Sequence, residues 1–367
     1  MKEYATDRIR NVALVSHGGA GKTSWAEAAL YATGVTTRMG KVEEGNTVSD
    51  FEEEEIRRRL SLSTTVLPLE HRETKINLLD TPGYTDFVGE SISALRVVEG
   101  ALVLIDSVAG VEVGTEVVWD TCDRFHLPRF VVISKMDREN ASFARGLEAA
   151  RRLSSEVAFV PVQLPLGERA DFRGVIDLFA MQARLGDGKE VALVPEELQA
   201  AAEEARVGVV EAAAEGDDTL LEKYLGGEEL TAEEIARGFL RSVRSGRVAP
   251  VFVTAGTAGT GILPLLDAVV DLLASPAQSP PVMAQGAGGE IELSASDAGP
   301  GSTNGIAGST RPGRPGPGPA RPTGPAAGEI VPPIPTEGGT LPGRNGYVRA
   351  GGKGGRWKRR EVGPGPP

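Results

Sequence analysis

The sequence predicts an α/β fold, a mainly parallel sheet flanked by helices, and three observations predict it. Five short apolar runs, Val12–Ser16, Ile76–Asp80, Ala101–Asp106, Phe130–Ser134 and Val251–Thr254, read as buried strands. Helical patterns lie between them, over Thr23–Thr33, Val88–Val98, Val113–Phe125, Ala141–Ser155 and Pro264–Leu273. Alternation of this kind implies a parallel sheet, and near-continuous apolar strands fit one covered on both faces. The polar residues with chemical potential come just after strands, where such sheets bind ligands.

The first strand runs into Ser16-His-Gly-Gly-Ala-Gly-Lys-Thr-Ser24. A phosphate-cradling loop needs this order of strand, glycine-rich turn and helix. Glycine lets the backbone wrap around phosphate oxygens so that successive N–H groups point inward. The helix N-terminus adds partial positive charge. His17, Gly18, Gly19, Ala20, Gly21, Lys22, Thr23 and Ser24 are therefore the expected phosphate contacts. Lys22 is expected to bridge the β- and γ-phosphates, and the Thr23 hydroxyl to reach Mg²⁺. His17 is expected to act through its backbone rather than its ring. The strict pattern opens on glycine, and Ser16 stands there instead. A ligand-free glycine-rich turn is the alternative; the strand and helix on either side favour a P-loop NTPase domain.

The next strand ends in Asp80-Thr-Pro-Gly83. An Asp at a strand end can hold Mg²⁺, usually through water, and Gly83 brings a backbone N–H where a side chain would collide with the γ-phosphate. Alone this is a plain turn; beside a P-loop it reads as a metal-and-phosphate element. Ser134-Lys-Met-Asp137 follows the fourth strand. The Asp137 carboxylate can accept from the N1–H and the exocyclic amine of guanine together, a pair adenine does not offer. The Lys135 stem can lie along the base. Thr254-Ala255-Gly256 follows the last strand, where its N–H groups can donate to guanine O6; the tripeptide counts only through its position. GTP or GDP with Mg²⁺ is the ligand set expected, and adenine nucleotides are disfavoured.

Between these elements, residues 34–75 form a long connection, loop-like over Gly34–Gly45 and charged over Glu52–Arg59. Residues 157–248 form an insertion, expected to be a small α/β subdomain. Pro195 to Ala214 reads as a helix in it, and Thr231-Ala-Glu-Glu234 is a capping-box start. The chain has 367 residues, 40% of them hydrophobic, and a net charge of −12. Residues 301–367 hold ten Lys/Arg and three Asp/Glu, a net +7, so residues 1–300 carry −19. An acidic body argues against a general nucleic-acid clamp, and no DNA partner is expected. The one cysteine, Cys122, excludes an internal disulfide and a Cys-based zinc site, and reads as core. His71 and His126 lie in no metal-spaced motif. Met1–Arg10 has no apolar signal core, and no apolar run reaches the ~18 residues of a membrane span. A cytoplasmic monomer is expected. Residues 301–367 hold 18 Gly and 13 Pro without apolar period, so a disordered tail is expected. Its basic stretch Lys353–Arg360 is read as unselected rather than as an RNA- or membrane-touching segment.

The motifs together resemble a translational GTPase of the elongation factor G type. SHGGAGKT is similar to that family's AHIDAGKT, DTPGYTDF to DTPGHVDF, and SKMD to NKMD. Val160–Gly167 and Gly174–Asp177 resemble the family's insertion subdomain, and Leu266–Asp271 its LLDAVVDYLPSP ending. The likeness covers residues 8 to about 299. It implies a G domain over 1–276 containing the 157–248 insertion, a start of domain II over 277–300, GTP hydrolysis and work on the ribosome. It implies that Lys22 and Gly83 act on the phosphates and that Thr23, Ser61 and Asp80 hold the metal. Departures are specific. Gly19 stands for a cation-binding Asp, Ser61 for the switch I Thr, Tyr84 for the catalytic His, and Ser134 for the guanine-reading Asn. Tyr84 is thereby the residue expected beside the attacking water, with hydrolysis slowed. They point to a divergent elongation-factor-G-like paralogue. A binding module with negligible turnover, and a ribosome-protection or release-type relative, are the alternatives. Past Pro300 a β-barrel pattern should follow and does not; a reading-frame shift there is the expectation.

Overall fold

The computed structural model describes residues 2–286 and 289–297; the expected tail at 301–367 lies outside the described residues. β1 (Ile9–Val15) leads through the glycine-rich turn into α1 (Lys22–Ala32). α2 (Glu53–Arg58), β2 (Thr65–His71) and β3 (Thr74–Asp80) follow. Then come α3 (Val88–Leu95), β4 (Gly100–Asp106), α4 (Val113–Arg124), β5 (Arg129–Ser134), α5 (Phe143–Arg151) and β6 (Ala158–Pro161). Four short strands come next: β7 (Gln163–Leu166), β8 (Gly174–Asp177), β9 (Gln182–Leu185) and β10 (Glu190–Leu193). α6 (Glu196–Ala214), α7 (Asp218–Leu225) and α8 (Ala232–Arg244) precede β11 (Val248–Val253) and α9 (Ile262–Leu272). β12 (Val282–Gly286) and β13 (Gly289–Leu293) pair as a hairpin.

Among the described residues the main sheet has seven strands, ordered β2-β3-β1-β4-β5-β11-β6. All pairings are parallel except β2 with β3. The chain leaves β1 toward β3 on one side and β4 on the other, so the order reverses at the carboxyl end of β1. That is where an open parallel sheet forms a crevice. Both faces are covered. Val12 and Leu14 face a core with Trp25 and Leu30 of α1 and Leu265 and Leu266 of α9. Ala13 and Val15 face the opposite core, with Leu95, Trp119 and Cys122. Each fully buried Leu or Val contributes roughly 1.5–3 kcal/mol. Burial pushes the Cys122 thiol up to about 12, so it is an inert core group.

Three features differ from the sequence reading. The connection over 34–75 is not all loop: it contains α2 and the antiparallel edge strand β2. Pro68 conceals β2, because proline is tolerated at an edge where its missing N–H faces solvent. Leu67 and Leu69 point inward while Val66 and Pro68 point out. Second, Ala158–Pro161 pairs with β11 and belongs to the main sheet, so the separate antiparallel sheet, ordered β10-β9-β8-β7, begins at Gln163. Four-residue strands carry too little pattern to be seen in sequence. Third, the Pro195–Ala214 helix starts at Glu196, one residue later. The capping box at Thr231 forms: its hydroxyl accepts from Glu234 N–H at 3.3 Å, and Glu234 accepts from Thr231 N–H at 2.8 Å.

At the amino end of β1 the Glu99 carboxylate accepts from Asn11 Nδ2 at 3.0 Å, and Asn11 Oδ1 accepts from Asn77 Nδ2 at 2.7 Å. Burial pushes the Glu99 carboxyl up to about 7, although the Asn11 donors pull it back. A raised acid binds its proton better folded than unfolded, so its contribution is lost as pH rises from 4.5 toward 7. Glu99→Gln keeps the acceptor and removes the charge. The variant is expected to be more stable than the parent at pH 8 by about 1–2 kcal/mol and level with it near pH 4. Thermal melts across pH check this; a gap that is constant with pH would contradict it.

Candidate functional site

An open cleft of about 270 Å³ lies at the carboxyl edge of the main sheet. Gly18, Gly19, Gly21, Lys22, Thr23, Ser24, Ser61, Gly83, Tyr84, Ser134, Lys135 and Gly256 line it. These come from five separate stretches of sequence, and the strand order brings them together. Gly19 and Gly21 have φ of +83° and +99°, a left-handed conformation that glycine alone adopts without strain.

Lys22 is buried at the start of α1. Its Nζ donates to Ser16 Oγ at 3.0 Å and to the His17 carbonyl at 3.2 Å. Burial pushes its ammonium down to about 8, with Asp80 pulling it up. Gly83 packs directly on this group: a Cβ added there would fall on Lys22 Nζ, and 2.7 Å from both Gly18 N and the His17 carbonyl. Asp80 is fully buried below the cleft. Its Oδ2 accepts from Ser49 Oγ at 2.7 Å, and its Oδ1 has no partner among the described residues. Burial pushes the carboxyl up to about 6, against the pull of Ser49 and Lys22. A buried, under-neutralised carboxylate favours a cation or a proton. Thr23 Oγ1 and Ser61 Oγ stand 3.3 Å apart, two hydroxyls facing each other across the cleft.

At the other end, Lys135 has φ +57° and its Nζ donates to Asp106 Oδ2 at 2.6 Å. Burial alone would raise the Asp106 carboxyl, but Lys135 and the Val108 N–H outweigh it and hold it below the usual range. The Lys135 stem passes Gly21, whose added Cβ would meet its Cε at 3.7 Å. Asp137 Oδ2 accepts from Thr257 Oγ1 at 3.0 Å, and its buried Oδ1 has no partner among the described residues. Ser134 Oγ donates to the Ala20 carbonyl at 2.7 Å. The short hydroxyl therefore ties the end of β5 to the glycine-rich turn.

Four of the expected residues are placed differently. His17 turns its ring out of the turn: Nδ1 accepts from Gly114 N–H at 3.2 Å, so the ring, not only the backbone, makes a contact. Ala20 is buried and contributes its carbonyl. Ala255 lies behind the cleft, where its N–H donates to the Thr260 carbonyl at 3.1 Å. That leaves Gly256, pressed against the start of α1, as the nearer backbone. Asp137 stands just outside the lining, reached through Thr257. Sequence reasoning missed Asp50, Glu27, Arg59 and Thr257. Asp50 lines the cleft with Oδ1 unpartnered among the described residues, and burial raises its carboxyl. Glu27 Oε1 accepts from Val48 N–H at 2.6 Å and Oε2 from Gly40 N–H at 3.2 Å, which places the 40–50 loop over the cleft. Glu27 carried one signal, a lone acid on an otherwise apolar stretch of α1; Asp50 carried none, standing next to a run of glutamates.

The comparisons with known proteins agree with this geometry. The family description "Elongation factor Tu GTP binding domain" matches residues 7–275. Elongation factor G of Thermotoga petrophila is 40% identical over 282 residues, which are 75% of this chain and 40% of that protein. Elongation factor G of Thermotoga maritima shows the same identity and coverage. A crystal structure of a Thermus thermophilus protein superposes with a TM-score of 0.70 at 39% identity, over 78% of this chain and 45% of that one. The chain thus spans about 40% of the length of the curated relatives it matches. Among the described residues no helix is long and apolar enough to cross a membrane. The chain belongs to the elongation factor Tu GTP-binding domain family, and its similarity within that family is to elongation factor G.

Proposed function

We propose that the cleft binds GTP and GDP with Mg²⁺ and that the chain hydrolyses GTP slowly, as the G domain of a cytoplasmic, ribosome-linked factor of the elongation factor G type. One observation supports this above the others. The Oδ1 atoms of Asp80, buried below the phosphate end of the cleft, and of Asp137, just outside its lining beside Thr257, stand unpartnered among the described residues. The first suits a hard cation and the second the paired donors of guanine. In this reading Thr23, Ser61 and Asp80 hold Mg²⁺, with Asp50 close by. The metal supplies charge neutralisation on the phosphates. Lys22 and the Gly83 N–H hold the phosphate end. Lys135 lies along the base, Asp137 reads its edge, and Gly256 is the backbone nearest its oxygen. Tyr84 stands nearest the attacking water. It carries no imidazole to orient that water or take its proton, which supports slow turnover. We assign 1–276 to the G domain, the part of the 157–248 segment that follows β6, from Gln163, to an inserted subdomain and 277–300 to a domain II-like start, in a monomer.

Titration calorimetry with GDP and ADP in Mg²⁺ tests the reading. Micromolar or tighter GDP binding with no ADP binding is expected; equal affinities would overturn it. A second reading, a switch module with negligible hydrolysis, is favoured by Tyr84 at the position of the family's His. Phosphate release with and without ribosomes separates the two.

A further inference from the structure

Tyr84 is 46% exposed, yet its ring is not free. A Cβ built on Gly18 would lie 3.1 Å from Tyr84 Cε2 and Cζ and 3.2 Å from Cδ2. The ring therefore rests on the bare backbone of Gly18, in space that any side chain at 18 would contest. Its neighbour Gly83 sits just as closely on Lys22 Nζ and on the 17–18 peptide. Residues 83–84 and the glycine-rich turn thus form one contact, with an aromatic face outside and a glycine against the lysine inside.

We propose that Tyr84 is an aromatic latch, and Gly18 its seat, holding the 83–84 segment down on the P-loop and so setting the preference between nucleoside triphosphate and diphosphate. The inference rests on the guanine-nucleotide reading above. The P-loop lysine serves the β- and γ-phosphates. A charge-assisted N–H···O contact needs about 2.8 Å of clear approach to the ammonium. On the side where Gly83 lies, that approach belongs to Gly83. A terminal phosphate on that side must move Gly83 back far enough to sit between the ammonium and the Gly83 N–H that then holds it, and that movement peels the Tyr84 ring from Gly18. A diphosphate makes no such demand. Tyr84 and Gly18 act here as positioning residues, through Gly83.

The test is the ratio of affinities for GDP and a non-hydrolysable GTP analogue, measured by fluorescent-nucleotide displacement on the full chain. Tyr84→Ala is expected to shift the ratio toward the triphosphate by about two- to tenfold, the range of one aromatic contact. Gly18→Ala crowds the ring and is expected to shift it the same way. In the Tyr84→Ala background Gly18→Ala is expected to add nothing, since the contact it disturbs is already gone. Equal weakening of both nucleotides by Tyr84→Ala, or fully additive effects of the two changes, would overturn the latch. Should Gly18→Ala fail to fold, the half-exposed Tyr84→Ala carries the test alone. A parent chain that binds neither nucleotide overturns the underlying reading, and the latch with it.

Discussion

Asp137→Asn is expected to lower GTP affinity by roughly 10²–10³-fold and to raise affinity for xanthosine triphosphate above it. The reason is donor and acceptor arithmetic at the base edge. The carboxylate offers two acceptors, one of which, Oδ1, is buried without a partner among the described residues. An amide there turns one acceptor into a donor, which opposes the guanine amine and suits the xanthine carbonyl. Thr257 Oγ1, 3.0 Å from Oδ2, can donate or accept and so tolerates either group. Competition binding with both nucleotides measures the reversal. Unchanged GTP preference would remove Asp137 from base reading, whatever became of the phosphate end.

Lys22→Met is expected to weaken GDP and GTP binding by about 10²-fold or more, since at least one charge-assisted contact is lost. The same change is expected to lower the stability of the nucleotide-free protein by no more than about 1 kcal/mol. Burial already disfavours the ammonium, whose pKa falls to about 8, and methionine fills a similar volume. Calorimetric titration and a thermal melt on one preparation separate the two effects. A large fall in melting temperature with affinity intact would make Lys22 a structural group.

How much of this was legible in the sequence depends on the source of each constraint. The phosphate end was legible because its chemistry is local. Gly19 and Gly21 must reach positive φ, Lys22 must follow them, and the spacing shows both. Asp80 and Asp137 were legible through their place after strands. Asp50 was not, because only the folding of a loop some thirty residues from the turn brings it to the cleft. The Tyr84 ring on Gly18 was also invisible: sequence shows that one residue is large and the other bare, not that they meet. β2 was hidden by Pro68 and the small sheet by the shortness of its strands. His17 misled for a related reason, since a ring inside a glycine-rich turn is expected to be idle until α4 supplies Gly114.

The arrangement of Glu27 has one more consequence. A single carboxylate on α1 holds the loop at Gly40 and again at Val48, and Asp80 takes up Ser49 next to it. With both ends of the loop gathered on one buried group, half-release leaves a buried oxygen unpaired, which is itself unfavourable. The hold on the loop is thereby shared between the helix beneath it, the end of β3 and the loop's own Ser49, so that its contacts depend on one another rather than standing singly.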